Sequence, residues 1–173
     1  MTPSAAGADA AAVDAADAAD ADAPWLDDRE QAVWRQWIQV SGRLPAALHR
    51  DLQRSSDLSL PDFDVLVRLT ESDEGRMRVS ALATSLQWER SRLSHHVGRM
   101  GRRGLVERED CVDDARGAFI AVTEAGRAAI ERAAPDHVRT VRSLVFDALS
   151  EDEVAAFGAV MTRILSRLDA VEG

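Results

Sequence analysis

Residues 87–104, Q-W-E-R-S-R-L-S-H-H-V-G-R-M-G-R-R-G, hold the side chains of this chain best suited to chemistry with another molecule. On a helix of 3.6 residues per turn, Leu93, Val97 and Met100 fall into one apolar stripe. Ser91, His95, Gly98 and Arg102 share the opposite side, flanked by Arg92, Ser94 and Arg99. That side consists of guanidinium, hydroxyl and imidazole groups. Guanidinium pairs with phosphate or with the guanine edge, and serine hydroxyls make short hydrogen bonds to either, so the pattern suits a helix lying in a DNA major groove. A solvated amphipathic helix with an Arg-rich exterior is the plainer alternative for this segment taken alone.

The charge distribution favours the first reading. The chain carries a formal net charge of −9, yet residues 76–103 contain seven Arg and a single acid, Glu89. This segment is therefore +6 and the rest of the chain −15. A DNA-binding surface needs local positive charge to displace condensed counterions, which the overall balance does not measure. All 21 basic residues are Arg, so the clustering of arginine is more informative than its number.

The elements around the segment position it. Residues 25–54 read as a long helix with apolar Val33, Trp34, Trp37, Ile38, Val40, Leu44, Leu48 and Leu52, bent at Pro45 or broken near Ser41-Gly42. A second helix opens at Ser59, a suitable cap, with Pro61 tolerated in its first turn and Phe63, Val65, Leu66 and Leu69 facing a core. Residues 77–79 suggest a short strand, and Ser80 is expected to cap a short helix bearing Leu82, Ala83 and Leu86. The Arg-rich helix follows within a few residues and ends at Gly104, expected as a left-handed cap. Two helices joined by a tight turn form a helix-turn-helix. Residues 105–109 and 118–122 read as the strands of a hairpin, or wing, with Arg116 near its tip. A helix from Thr123 through Leu149, kinked at Pro135, and a last helix capped by Ser150 and Glu153 complete the chain. The stripe of that last helix, Val154, Phe157, Val160, Met161, Ile164, Leu165 and Leu168, is too broad for a lone terminal helix.

The fold class is thus mainly α with a small β-wing, a winged helix-turn-helix between longer flanking helices. Residues 1–24, with twelve Ala and five Asp, are expected to form a disordered tail, since they offer too little apolar surface to offset ordering entropy. The segment lacks the positive start and apolar run of a secretory signal, and no stretch suits a membrane span. One cysteine, Cys111, excludes an internal disulfide and fits the cytoplasm. The acids before it, Glu107, Glu109 and Asp110, disfavour a reactive thiolate. His49, His95, His96 and His137 lack metal-ligand spacing, no cofactor is implied, and no catalytic motif of a hydrolase, kinase or dinucleotide enzyme occurs. A winged helix that binds another protein remains the alternative function, although its outward face would be expected to be apolar.

The order of elements and the blocks R-S-R-L-S-H-H-V-G-R-M (90–100), R-G-L-V-E-R (103–108), D-A-R-G (114–117) and T-E-A-G (123–126) resemble the MarR family of bacterial transcription regulators, over about residues 30–170. The resemblance implies a homodimer held by residues 25–58 and 123–173, with residues 59–122 as the DNA-binding part. It also implies a ligand-released repressor acting on a double-stranded, pseudo-palindromic operator. Carried over residue by residue, Arg90, Ser91, Arg92, Ser94, His95 and Arg99 meet the major groove or its phosphates. Arg116, oriented by Asp114, enters the minor groove, where a narrow groove concentrates negative potential. A small aromatic or anionic effector is implied as well, with Trp34, Trp37 and His49 as candidates for its site; core or dimer interface is the competing role for the two Trp.

Overall fold

The computed structural model describes residues 25–110 and 118–172. The expected tail at 1–24, Cys111, Asp114, Arg116 and the wing tip lie outside the described residues. Six α-helices and three strands occur in those described: α1 (Asp28–Ser55), α2 (Leu60–Thr70), β1 (Arg76–Arg78), α3 (Val79–Ser85), α4 (Arg90–Arg102), β2 (Val106–Asp110), β3 (Ala118–Val122), α5 (Glu124–Val141) and α6 (Glu151–Glu172). A π-helical turn, Arg142–Phe146, follows α5. None of the helices described is long and apolar enough to cross a membrane.

The three strands form an antiparallel sheet in the order β1-β3-β2. Arg76 pairs with Ala121 and Arg78 with Phe119, while Val106 pairs with Val122 and Glu109 with Phe119. β3 is therefore central, and its Ile120 reaches the core. That core joins Leu52 and Leu58, the Phe63/Val65/Leu66/Leu69 face of α2, Leu82 of α3, Leu93, Val97 and Met100 of α4, and Ile130 and Ala133 of α5.

Each junction has a local cause. Ser59 accepts from the Asp62 N–H while Asp62 accepts from the Ser59 N–H, a reciprocal capping box that starts α2. α3 ends with Gln87 in the left-handed region (φ 53), where the Gln87 N–H bonds Thr84 O and the Trp88 N–H bonds Ala83 O. α4 ends the same way, with Gly104 at φ 72 and the Gly104 and Leu105 N–H groups bonding Gly101 O and Met100 O. Both are Schellman ends, which satisfy carbonyls the helix leaves unpaired. The start of α5 then sits on the second of them. The Thr123 hydroxyl donates to Gly104 O and accepts from the Gly126 N–H, and a Cβ on Gly126 would stand 2.0 Å from Leu105 O. Only glycine permits that approach.

Three expectations are corrected. Ser80 does not cap α3: the strand ends at Arg78 and turns directly into the helix, so Arg78 stands at the N-cap position, where its side chain makes no capping bond, and Ser80 falls in the first turn. The helix from Thr123 does not continue through Leu149. It gives way after Val141 to the π turn, in which the Asp147 N–H bonds Arg142 O across five residues and the Arg142 guanidinium pairs with the Asp147 carboxylate at 3.1 Å. α1 shows no break at Ser41-Gly42 and runs through Pro45. Ser41 and Pro45 are exposed, so water can satisfy the carbonyl that proline leaves without a donor.

The chain divides into two units, residues 1–42 and 43–173. In the first, the described part of α1 leaves Val33, Trp34, Trp37, Ile38 and Val40 exposed. In the second, α6 leaves Val154, Phe157, Val160, Ile164, Leu165 and Leu168 exposed, and Ser150 with Glu153 forms the capping box expected there.

Candidate nucleic-acid interface

Helix α4 separates its faces as its periodicity predicts. Leu93, Val97 and Met100 are buried, whereas Arg90, Ser91, Arg92, Ser94, His95, Gly98, Arg99 and Arg102 are exposed. Six of these, Arg90, Ser91, Arg92, Ser94, His95 and Arg99, are the expected major-groove residues, and α4 brings them together on one outward surface. Four exposed guanidiniums on thirteen residues of helix make a dense cationic strip.

Not all the arginine of the basic segment is available to a ligand. Arg76 bonds both Glu74, at 2.7 Å, and Glu109, at 2.9 Å, and its guanidinium lies 5.0 Å from the Phe119 ring. Arg103 turns inward to Asp62, 2.7 Å away, and also donates to Asp57 O. The charge count from sequence therefore overstates the outward field, which rests mainly on α4.

Beneath the strip lies a polar array that periodicity alone does not reveal. Asp62 is 3% exposed and His96 7%. His96 Nε2 stands 3.0 Å from Asp62 Oδ1, and Arg99 Nη2 lies 2.8 Å from His96 Nδ1. Arginine has donors only, so Nδ1 is the acceptor, while Nε2 stands within ion-pair distance of Asp62 but outside hydrogen-bond geometry. Burial by itself raises the pKa of Asp62, but the nearby His96 and the bonds from the Ser59 N–H, Arg103 and the Ser59 hydroxyl outweigh it and hold the carboxyl well below its ordinary range. The array ties α4 to the first turn of α2. The Trp88 ring meets the His96 ring edge-on at 5.3 Å, and the Arg92 guanidinium lies over Trp88 at 4.3 Å.

The model of the MarR family matches residues 58–117, from the start of α2 into the wing. The fold is similar to that of AbsC, a MarR family transcriptional regulator from Streptomyces coelicolor, with a TM-score of 0.80 and 38% identity over 86% of this chain and 99% of AbsC. It is similar also to Sco3205, a MarR family regulator of the same organism solved in complex with DNA, with a TM-score of 0.78 and 40% identity over 83% of this chain and 90% of that one. The chain belongs to the MarR family of transcriptional regulators. An HTH-type transcriptional regulator of Bacillus cereus is 28% identical over 133 residues, 76% of this chain and 86% of that relative. Within this MarR protein, α3 and α4 form the helix-turn-helix and β2 with β3 the wing; Asp114 and Arg116, expected at its tip, lie outside the described residues.

The three residues considered for an effector site fall in different settings. Trp34 and Trp37 are exposed on α1 in the first unit, and Trp34 at 52% is in no core of a single chain. His49 belongs to the second unit, where its Nδ1 accepts from the Leu60 N–H at 3.3 Å. It lines a cavity of about 650 Å³ with Arg50, Asp51, Arg54, Thr140 and Leu144. There the Thr140 hydroxyl donates to Asp51 at 2.5 Å and holds its carboxyl below the usual value. Sequence reasoning missed Asp62, His96 and Arg103 as parts of the assembly that holds α4, and Trp88 as a neighbour of Arg92. One signal was available: an Asp at the third position of α2 and an inward-facing His on α4 are unusual core residues that require partners.

Proposed function

We propose that this MarR regulator is a cytoplasmic repressor that binds a pseudo-palindromic operator as a homodimer and is released by a small effector. The observation that carries the reading is the outward face of α4, where Arg90, Ser91, Arg92, Ser94, His95 and Arg99 stand over a buried Leu93/Val97/Met100 stripe. The similarity to Sco3205, solved with DNA, supports the same partner here. In this reading Arg90, Arg92 and Arg99 meet phosphates or guanine edges, and Ser91, Ser94 and His95 supply shorter hydrogen bonds. Arg116, steadied by Asp114, reads the minor groove. Residues 59–122 form the DNA-binding part, and residues 25–58 and 123–173 hold the dimer together.

The exposed apolar stripe of α6 supports the dimer, because a surface this apolar marks an interaction site. Repression is steric, by occupation of a promoter. The effector acts by favouring a dimer whose two recognition helices no longer match the half-site spacing. The cavity beside His49, with Arg50 and Arg54 on its wall, suits an anionic or aromatic molecule. Trp34 and Trp37 belong to the dimer interface or to the effector site.

The experiment is competition binding of the protein to the intergenic duplex upstream of its own gene and to a scrambled duplex of equal length. A preference of roughly a thousandfold or more for the first is expected of a specific regulator. Equal, weak binding to both would contradict specific recognition of that sequence.

A further inference from the structure

Resting on the DNA-contact reading of α4, we infer that Trp88 is a positioning residue for Arg92, presenting its guanidinium to the nucleic acid from the face of an indole ring that the core holds in place.

The placement of Trp88 follows from the turn before it. Gln87 adopts the left-handed conformation that closes α3, and the Trp88 N–H bonds Ala83 O at 2.9 Å, which fixes the backbone at the entry to α4. The indole is half-buried and packs on the core. Its ring contact with His96 is nearly perpendicular, at 87° and 5.3 Å. His96 cannot rotate freely, since one ring nitrogen faces Asp62 and the other accepts from Arg99. Trp88 is thereby braced from below. Arg92, one turn further along, lies over it at 4.3 Å, within the range where the ring quadrupole attracts a cation.

A free arginine side chain loses much rotamer freedom when it docks on a phosphate or a base. One already resting on an indole face loses less, and its direction is set beforehand. Arg92 keeps its charge and its outward N–H groups in this arrangement, because stacking uses the flat face of the guanidinium and leaves its edge for hydrogen bonds.

A double-mutant cycle on the full chain with the upstream duplex tests the inference. Trp88→Leu is expected to weaken binding about fivefold to thirtyfold when Arg92 is present, the size of two cation–π contacts, one in each protomer of the proposed dimer. It should have almost no effect in the Arg92→Ala background, and Trp88→Phe should restore most of the loss. An equal loss in both backgrounds would make Trp88 merely structural and overturn the inference, as would no loss at all. A second readout needs no DNA. In the free protein the side-chain NMR signals of Arg92 should be shifted upfield by the indole ring current and return to ordinary positions in Trp88→Leu. Unshifted signals would overturn the positioning role even if the duplex binds. Shifted signals with no specific duplex binding would instead uphold the geometry and count against the function proposed for α4.

Discussion

Replacing Asp62 with alanine is expected to destabilise the winged unit by about 2 to 4 kcal/mol, the combined cost of a buried His96 left unpaired and half of a capping box lost. The side chain serves two ends at once. It accepts from the Ser59 N–H at the start of α2, and it receives His96 and Arg103 from α4 and its end. Alanine leaves the buried His96 Nε2 without its neighbour, removes the Asp62 half of the capping box while Ser59 still accepts from the N–H of residue 62, and frees Arg103 from its partner. Urea unfolding at pH 7 reads the loss directly. The pH dependence gives a second check with a definite sign. The folded-state pKa of Asp62 lies below its ordinary value of 3.8. Its contribution is therefore fully present above about pH 4 and is lost as the pH falls from there toward the folded value. The stability difference between wild type and Asp62→Ala should be largest at neutral pH and shrink in acid. A difference below about 1 kcal/mol at pH 7 would show that the network is solvated rather than structural.

The second large effect concerns assembly. Phe157 and Leu165 are 41% and 59% exposed in the single chain, on a helix that also exposes Val154, Val160, Ile164 and Leu168. If a second copy covers them, placing a carboxylate at either site buries a charge without a partner, at a penalty of several kcal/mol. The double variant Phe157→Asp/Leu165→Asp is expected to raise the dimer dissociation constant by at least about a hundredfold, since each 1.4 kcal/mol is a factor of ten. Sedimentation equilibrium at micromolar concentration should then find the variant monomeric and the wild type in the proposed dimer. Operator affinity should fall with it, because two half-sites no longer act together. An unchanged dimer would remove α6 from the interface.

Much of this was legible in the residues. The 3.6-residue spacing of Leu93, Val97 and Met100 identified both faces of α4, and Gly104 marked its end because a left-handed cap favours glycine. Ser59 and Ser150 marked helix starts for an equally local reason. The features that were not legible depend on contacts between distant parts of the chain. Arg103 meets Asp62 across 41 residues, and no local pattern announces the pairing. Arg103 instead counted toward the outward positive charge. Gln87 takes a conformation more usual for glycine, so its turn carried no compositional mark. The π turn at Arg142–Phe146 rests on one shifted backbone bond and an ion pair, in a stretch whose apolar spacing looked continuous. The placement of the Trp88 ring between Arg92 and His96 likewise has no signature in the local spacing.

The central claim is that the Arg-bearing face of α4 is the surface that meets DNA, and a salt titration of duplex affinity tests it most directly. Each cation that neutralises a phosphate adds about 0.9 to the slope of log affinity against log salt. Wild type should show a steep slope on its upstream duplex, and Arg90→Ala/Arg92→Ala, which removes two cations from each protomer of the proposed dimer, should be shallower by about 3.6, with folding and dimerisation intact. A slope unchanged by the double substitution would place the DNA contact elsewhere on the molecule and contradict the account.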